Sequence, residues 1–396
     1  MKLDPALRRL LDLPERERSE RGLEHTPVEI ARQPELWRRT ARLLSPRADE
    51  VAEYLARHQV LATGPGRLIL TGAGTSAFVG ACVAGSLRRR LAVDVLAVPT
   101  TDLVTHARDA AVVGRPHVLV SFARSGTSPE SLATLDAVRK CVGGLGHVIV
   151  TCNAEGRLAR AAEPGRDLVI LMPPESDDRG LAMTSSFTCM ALGGLFLGGW
   201  QRPEEFIAET EAAAAAAESL LAEHVSAIAS VAERPFTRAV FLGAGPLLGC
   251  ARECALKLQE MTNGVVMCHA ESFLGLRHGP QAVVDDDTVV VALMSAEPAT
   301  APYEADMLSE LKAKGQGARV LGVGQGLCPD VADACHLVVD LGGAPPVAPE
   351  FRPVAYVLAG QLLGLLKSVG LGLRPDSPSP SGVINRVVQG MRIHDT

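Results

Sequence analysis

The sequence lacks the features that mark membrane and nucleic-acid-binding proteins. No apolar run reaches the roughly 20 uninterrupted residues that a membrane helix needs, because glycine, proline or charge interrupts each candidate. The nearest candidate is Ala182–Trp200, and its Thr184, Ser185, Ser186 and Thr188 favour a buried core helix. A net charge of -6 offers no overall attraction for nucleic acid or an anionic membrane. We therefore expect no nucleic-acid partner and no membrane partner.

Cysteine pairs and targeting signals are also missing. The nine cysteines stand singly in apolar segments, without a Cys-x-x-Cys pair and without a signal-peptide pattern ahead of them. We expect reduced, buried thiols and a cytoplasmic location. The histidines and acidic residues lack the spacing of metal ligands, so we expect no metal and no cofactor. Lysine is scarce beside arginine, which makes Lys257 unusual inside its apolar segment, and no lysine follows Lys367.

An internal repeat is present. The 396 residues are 47% hydrophobic and 21% charged, which is typical of a globular chain with room for two domains. Arg67–Leu87 and Arg238–Leu258 each predict a strand, a Gly-x-Gly turn and a helix. Two more predicted strands recur in the same order, beginning at His117 and His147 in the first copy and at Thr288 and Arg319 in the second. The predicted fold class is α/β, with two doubly wound parallel sheets in tandem.

The remaining segments suggest four parts. We predict an N-terminal helical segment at 1–60, a first domain at 61–205, a second domain at 206–370 and a C-terminal tail at 371–396. The alanine-rich stretch Glu211–Glu233 predicts one helix that links the two halves. The tail begins with the Pro/Ser-rich stretch Arg374–Val383, which predicts irregular structure.

Hydroxyl side chains crowd the stretch Val120–Leu132, directly after a predicted strand. Ligands of open parallel sheets bind at the carboxyl ends of strands, where helix N-termini present unpaired N–H groups. One hydroxyl would suffice to cap the helix that follows at Pro129. Several short hydroxyls beside Gly126 and Arg124 instead favour a bound phosphate ester. The second copy has lost most of these hydroxyls, so we predict one phosphate pocket, in the first half.

A nucleotide is the alternative ligand. The turn Gly72–Ala77 matches the dinucleotide pattern GxGxxA, and Asp94 follows at nearly the spacing of a ribose-binding acid. However, Asp94 lies within an apolar strand rather than at its carboxyl end, and the second copy has no corresponding acid. A phosphate ester is therefore preferred over a nucleotide.

Three charged residues share one face of a predicted helix. Glu253, Lys257 and Glu260 stand at i, i+4 and i+7, with apolar neighbours that favour a half-buried cleft over a solvated salt-bridged face. His278 follows on a predicted loop, before a Gly-Pro pair, and the stretch from Met261 to Arg277 is expected to be a long loop that reaches outward. A carboxylate and a histidine beside a phosphate pocket form the kind of acid/base pair that moves protons on a sugar.

Six motifs follow one another along the chain: GTS, the hydroxyl-rich turn, AMTSSF, ECALKLQE, RHGP and SGVINRVVQG. In this order they resemble the sugar isomerase (SIS) family, specifically its AgaS-like branch of tagatose-6-phosphate ketose/aldose isomerases and galactosamine-6-phosphate deaminases. The resemblance covers nearly the whole chain and implies two flavodoxin-like SIS domains in tandem. It also implies a tail that closes the active site.

The isomerase half of glucosamine-6-phosphate synthase is a related protein whose functional residues can be matched here. The match implies phosphate binding by Arg124, Ser125, Gly126, Thr127 and Ser128, although Ala123 replaces the first serine of that loop. It implies sugar contacts from Gly74, Thr75 and Ser76, and a closing loop with Leu181, Met183, Thr184 and Ser185. Glu260 matches the isomerising glutamate, Glu253 and Lys257 match its companions, and His278 matches the ring-opening histidine.

Two further points follow from this resemblance. Gln389 falls at or near the relative's C-terminal lysine, so we expect no Schiff base at the tail. In the relative, the histidine reaches the sugar from the neighbouring subunit. The resemblance therefore implies a homodimer, or a dimer of dimers, with shared active sites.

The implied function is an aldose/ketose isomerase with deaminase activity on a hexosamine 6-phosphate, such as galactosamine 6-phosphate giving tagatose 6-phosphate and ammonia. The sequence shows no glutamine-hydrolysing segment, which favours amine release or isomerisation over amine synthesis. A simple ketose/aldose 6-phosphate isomerase and a non-catalytic sugar-phosphate sensor are the alternatives. Against a DNA-binding sensor, the first 60 residues hold 12 basic and 11 acidic side chains.

Overall fold

The computed structural model describes residues 2–62, 64–317, 319–386 and 392–394. These residues contain two five-stranded sheets in which every strand pairing is parallel. The strands are β1 (Arg67–Thr71), β2 (Asp94–Ala97), β3 (His117–Ala123), β4 (Gly146–Thr151), β5 (Asp167–Leu171), β6 (Arg238–Leu242), β7 (Met267–Glu271), β8 (Thr288–Leu293), β9 (Arg319–Gly324) and β10 (Leu337–Asp340).

Helices alternate with these strands and precede them. They are α1 (Pro5–Leu11), α2 (Glu15–Arg21), α3 (Thr26–Ala31), α4 (Gln33–Leu44), α5 (Ala48–Arg57), α6 (Thr75–Leu91), α7 (Thr100–Ala110), α8 (Pro129–Cys141), α9 (Arg157–Arg160), α10 (Ser185–Gly199), α11 (Pro203–Glu223), α12 (Val225–Ala232), α13 (Pro246–Met261), α14 (Phe273–Leu276), α15 (Ala301–Ala313), α16 (Pro329–Ala334) and α17 (Arg352–Gly370).

The repeat extends to the whole sheet. The strand order is β2-β1-β3-β4-β5 in the first sheet and β7-β6-β8-β9-β10 in the second, which is the flavodoxin-like order twice. The turn after the first strand of each copy also has the same backbone shape, with φ 55° and ψ -126° at Gly74 and φ 55° and ψ -125° at Gly245. Residues with a side chain rarely adopt these angles, which explains a glycine in both copies. The predicted tandem α/β fold is confirmed.

The chain divides into two compact units. The sheet-one unit, with β1 to β5, comprises Glu35–Asp178, Ser185–Thr210 and Gly382–Thr396. The sheet-two unit, with β6 to β10, comprises Met1–Pro34, Arg179–Thr184 and Glu211–Ser381. Each unit therefore draws on three separate stretches of the chain. The predicted domain boundaries after residues 60, 205 and 370 stay a prediction.

Two apolar helices, α10 and α17, are largely buried in the cores of their units. All residues of α10 are buried, and α10 packs on α6, so the Ala182–Trp200 stretch contributes a core helix as predicted. One described helix, α17, is long and apolar enough to cross a membrane by length and composition. The search of the sequence for uninterrupted apolar runs did not find it. Its most apolar window is 83% buried, and α17 packs against α13 within the sheet-two unit.

One local prediction was correct in part and another was wrong. The stretch Glu211–Glu233 is helical as predicted, but it is divided between α11, which already begins at Pro203, and α12, with His224 between them. The stretch between Met261 and Arg277, expected to be a long loop, contains β7 and α14. Strand β7 lies at the edge of its sheet and exposes Met267, so it lacks the continuous apolar pattern of a buried strand.

Candidate active site

The two hydroxyl-bearing turns of the sheet-one unit leave neighbouring strands at the same edge. Thr71, the last residue of β1, is in register with Ser121 of β3. The turn after β1 opens α6 at Thr75, and the turn after β3 opens α8. In a sheet of this order, the strand order reverses between β1 and β3, and the crevice at that reversal is where ligands bind. The fold therefore brings together the predicted phosphate and sugar contacts of this unit.

The turn Arg124–Ser128 is called here the hydroxyl turn. Its hydroxyl groups do not cap α8. Ser128 occupies the N-cap position, but its side chain makes no capping hydrogen bond. Its Oγ lies 2.8 Å from Oγ of Ser131 instead. The Thr127 hydroxyl donates to Oγ of Ser125 over 3.0 Å. The 13-residue helix α8 thus begins without a side-chain cap, and an uncapped helix N-terminus suits an anion.

The hydroxyl turn is supported by hydrogen bonds from the end of β4 and from the segment that follows it. The Thr151 hydroxyl donates to the Ala123 carbonyl (2.7 Å), and Asn153 Nδ2 donates to the Ser125 carbonyl (3.1 Å). A Cβ atom at Gly156 would lie 2.5 Å from the Ser125 carbonyl oxygen, so only glycine fits there. These contacts fix the shape of the turn before any ligand arrives.

The C-terminal segment contacts the hydroxyl turn. Arg124 Nη2 donates to the backbone carbonyl of Arg386. The guanidinium of Arg386 donates to the carbonyl of Asp178 (2.8 Å) and forms an ion pair with the carboxylate of Asp177. Gln389 lies outside the described residues.

Asp178 organises the start of α10. Its carboxylate accepts from the backbone N–H groups of Ser185 (3.1 Å) and Ser186 (2.8 Å) and from the Ser186 hydroxyl (2.6 Å). Asp178 is fully buried, and a carboxylate at a helix N-terminus is stabilised by the N–H groups and the helix dipole. Ser185, predicted as a sugar contact, therefore already donates its backbone N–H to the protein.

The preceding loop residues alternate in exposure. Ala182 and Thr184 are fully buried, whereas Leu181 and Met183 are half-buried. The backbone N–H of Leu181 donates to the Asp376 carbonyl (3.0 Å), and the Thr184 carbonyl accepts from Gln361 (3.4 Å). Of the predicted closing residues in the sheet-two unit, Leu181 and Met183 are thus the side chains that reach the surface.

In the sheet-two unit, the acidic residues of α13 flank one lysine. Lys257 and Glu253 are fully buried, with Nζ 3.4 Å from Glu253 Oε1 and 2.6 Å from Glu260 Oε2. The side chain of Glu260 is 25% exposed. The charges are buried rather than solvated, as their apolar neighbours predicted, and mutual pairing offsets the cost of burying them. Glu260 is the carboxylate of this cluster that a ligand can reach.

His278 lies on an exposed turn of the same unit. The turn follows α14 and is closed by the hydrogen bond from the His278 N–H to the Gly275 carbonyl (2.9 Å). Among the described residues, no group of three His, Cys, Asp or Glu side chains is placed to hold a metal ion.

Asp94 does not lie where a ribose-binding acid belongs. It is the first residue of β2, in register with Arg67 at the start of β1, so it lies at the amino end of the sheet. Its carboxylate pairs with Arg67 (2.6 Å) and Arg115 (2.9 Å). Burial raises the pKa of Asp94, but these two arginines outweigh it and hold the pKa below its usual value. This position supports the preference for a phosphate ester over a nucleotide.

Comparison with known proteins identifies the family of the chain. It is 43% identical over 375 residues to an AgaS protein of Streptomyces coelicolor, covering 93% of this chain and 95% of the relative. The chain belongs to the AgaS family. The D-galactosamine-6-phosphate deaminase AgaS of Shewanella sp. (strain ANA-3) is 36% identical over 376 residues, covering 93% of this chain and 91% of that relative. No protein-family model matches the chain.

A solved structure agrees. That of tagatose-6-phosphate ketose/aldose isomerase from Escherichia coli has a TM-score of 0.82 and 33% identity, and covers 93% of this chain and 96% of that one. The sequence resemblance is thereby confirmed, and the AgaS-family chain is an enzyme rather than a sensor. The roles of individual residues stay predictions.

Several residues that shape the site escaped the sequence reasoning. Asp178 and Arg386 contact predicted site residues, but Asp178 stands outside the six motifs, and Arg386, although it belongs to SGVINRVVQG, was given no role. Asn153 and Gly156 support the hydroxyl turn from the segment between β4 and α9. The sequence offered no capping signal for Asp178, because it stands seven residues before Ser185, and an N-cap is read from the residue directly before a helix.

Proposed function

We propose that this enzyme deaminates and isomerises a hexosamine 6-phosphate, taking galactosamine 6-phosphate to tagatose 6-phosphate and ammonia. The observation that carries the proposal is the membership of the AgaS family. It is joined by the hydroxyl turn, which precedes the uncapped helix α8 where the strand order of the first sheet reverses. The names of the relatives support the reaction, and the turn supports the phosphate group. We place the reaction in the cytoplasm, where sugar phosphates are metabolised.

In this proposal, the sheet-one unit binds the substrate. The 6-phosphate accepts hydrogen bonds from the hydroxyl turn and from the N–H groups that open α8, while Arg124 supplies positive charge. Thr75 and Ser76, on the neighbouring turn, bind sugar hydroxyls, and Gly74 lets the backbone approach closely. Met183, Thr184, Ser185 and Gln389 complete the contacts that the family resemblance implies.

The acid/base chemistry falls to residues of the sheet-two unit. His278 opens the pyranose ring by moving a proton from the C1 hydroxyl to the ring oxygen. Glu260 then removes the C2 proton and a proton is returned at C1, which converts the C2 amine to an imine through an enolamine. Water adds to the imine, ammonia leaves, and the ketose remains. Lys257 and Glu253 orient the Glu260 carboxylate.

The proposed assembly is a homodimer in which His278 serves the substrate bound by the neighbouring subunit. The exposure of His278 supports this assembly, as does the edge position of β7, whose Met267 is 63% exposed. An edge strand with unpaired backbone groups and an exposed methionine is a surface that proteins usually cover.

Ammonia release tests the proposal. The purified enzyme is given galactosamine 6-phosphate, glucosamine 6-phosphate or unphosphorylated galactosamine, and ammonia and ketose are measured separately. Ammonia and ketose 6-phosphate in equal amounts support the deaminase. Interconversion of tagatose 6-phosphate with its aldose, without any ammonia from the amino sugar, favours the simple isomerase instead, which the name of the Escherichia coli structure supports.

A further inference from the structure

The short segment Arg179–Thr184, just before α10, is tied to residues from both ends of the chain. All of the groups involved belong to the sheet-two unit, although they are far apart in sequence. They come from the N-terminal helices, from α17 and from the stretch after α17. The segment contains two of the half-buried side chains predicted to close over the sugar, Leu181 and Met183.

The first tie is the carboxylate of Glu29 on α3. Glu29 is 2% exposed, and its Oε1 accepts from the backbone N–H groups of Arg179 (2.6 Å) and Gly180 (3.4 Å). A Cβ atom at Gly180 would lie 2.9 Å from Thr26 Oγ1 and 3.1 Å from Glu29 Oε2. The helix and the segment therefore meet at a residue with no space for a side chain.

The second tie is Asp376. Its carboxylate accepts from the backbone N–H groups of His25 (3.0 Å) and Thr26 (2.7 Å) at the start of α3. Its own backbone carbonyl accepts from the N–H of Leu181 (3.0 Å). Asp376 thus connects the N-terminus of α3 directly to the residue that follows Gly180.

The third tie lies at the other end of the segment. Gln361 of α17 donates to the Thr184 carbonyl (3.4 Å) and accepts from Gln33 (2.6 Å). All three residues are fully buried. A buried polar group without a partner is costly, so each tie depends on the segment keeping its place.

We propose that Glu29 is a positioning residue for the reaction. Through the amides of Arg179 and Gly180, its carboxylate sets where Leu181 and Met183 stand, and the N-terminal helices thereby act on the substrate without touching it. This inference rests on the proposed role of the Leu181–Ser185 loop in holding the sugar. Loss of the carboxylate affects orientation of the sugar more than capture of its phosphate, because the hydroxyl turn is held by its own hydrogen bonds from Thr151 and Asn153.

The test compares Glu29→Gln with Glu24→Gln. The first variant keeps the size of the side chain but removes its negative charge and one of its two acceptor oxygens. The second makes the same change at an exposed position five residues earlier. Hydrogen exchange followed by mass spectrometry should show the amides of Arg179, Gly180 and Leu181 exchanging about 10-fold faster or more in Glu29→Gln only, with β6 unchanged.

Kinetics supply the second readout. In Glu29→Gln, kcat with galactosamine 6-phosphate should fall about 10-fold or more, while inhibition by inorganic phosphate changes less than about twofold. Unchanged exchange at Arg179–Leu181 overturns the inference. Faster exchange with wild-type kcat and KM overturns it equally, because the segment would then not orient the sugar.

Two further outcomes remain decisive. If the wild-type enzyme releases no ammonia, the proposed function fails, and kcat for the interconversion of tagatose 6-phosphate with its aldose then supplies the kinetic readout for Glu29. If Glu29→Gln does not fold, Glu29→Asp takes its place, since it keeps the charge but shortens the side chain by one methylene. We expect faster exchange at the same three amides in that variant, and wild-type exchange there contradicts the inference.

Discussion

The ammonium of Lys257 lies 2.6 Å from one carboxylate oxygen of Glu260 and is itself completely buried. A second carboxylate, that of Glu253, lies 3.4 Å away on the preceding turn of the same helix. Because Lys257 lies between the two acids, it fixes the direction of the partly exposed Glu260 carboxylate. This arrangement suits a carboxylate that must accept a proton from a bound molecule at a defined position.

Replacing Glu260 by glutamine should abolish most turnover. Glutamine keeps the shape and hydrogen bonding but cannot take the C2 proton, so kcat should fall roughly 100-fold or more while the sugar phosphate still binds. Exchange of the C2 proton with deuterated solvent, followed by NMR, checks this step directly. Glu223→Gln, at an exposed position of α11, is the matched control. Wild-type C2 exchange in Glu260→Gln refutes the assignment.

Removing the hydroxyls of Ser125 and Thr127 should weaken binding more than it slows the bound reaction. The phosphate is contacted equally in the ground and transition states, so the double alanine variant should raise KM about 10- to 100-fold with kcat nearly unchanged. Ser230→Ala, an exposed serine on α12, controls for loss of a hydroxyl alone. An unchanged KM would remove the phosphate from this turn.

The ion pair between Arg386 and Asp177 should couple the C-terminal segment to the hydroxyl turn. Arg386→Ala and Asp177→Asn should each raise KM for the phosphorylated substrate about 10-fold, because the ion pair holds the Arg386 backbone carbonyl in place to accept from Arg124. If the two residues act through one contact, the double variant should be no worse than either single variant. Arg392→Ala, exposed near the C-terminus, is the control. Losses that simply multiply would show two independent roles.

Mixing two damaged chains should restore activity if His278 serves the neighbouring subunit. Ser125→Ala/Thr127→Ala and His278→Ala chains should each be nearly inactive alone. After subunit exchange, about half of the dimers are mixed, and each mixed dimer has one intact site, so about a quarter of wild-type activity should return. Activity of a freely exchanging mixture is the measurement. Recovery of nothing would place His278 in its own subunit's site.

Stability should fall in mild acid because of His147. Burial lowers the pKa of His147 to about 4, against about 6.5 for an exposed histidine. Between these pH values the unfolded chain binds the extra proton, so the full stability exists above about pH 6.5 and declines toward pH 4, by at most about 1.4 kcal/mol per pH unit. Urea unfolding at pH 7.5 and pH 5.0 checks this.

His147→Asn is the comparison variant for that experiment. It cannot charge, so its unfolding midpoint should depend less on pH than that of the wild type, although it is less stable at pH 7.5 through altered contact with the Ser121 hydroxyl, which lies 2.9 Å from Nε2. An equal pH dependence in both proteins would show that His147 is not buried in its neutral form.

Much of the architecture could be predicted from short segments of the sequence. The alternation of β-branched strands with helices, and the Gly-x-Gly turns, specify each half of the repeat, because strand, turn and helix are decided by residues close in sequence. The hydroxyl turn and the charged face of α13 were likewise readable, since each occupies one short segment. Strand β7 was missed because an edge strand need not be apolar.

Tertiary structure alone decided which distant residues support the site. Glu29 contacts Arg179, Asp376 contacts Leu181, and Arg386 contacts Arg124, across large separations along the chain. No spacing rule relates such pairs, because the fold, not the helix or strand period, sets their distance. The same holds for burial: the sequence shows that Lys257 has acidic neighbours, but only packing against α17 removes it from water and fixes how it is paired.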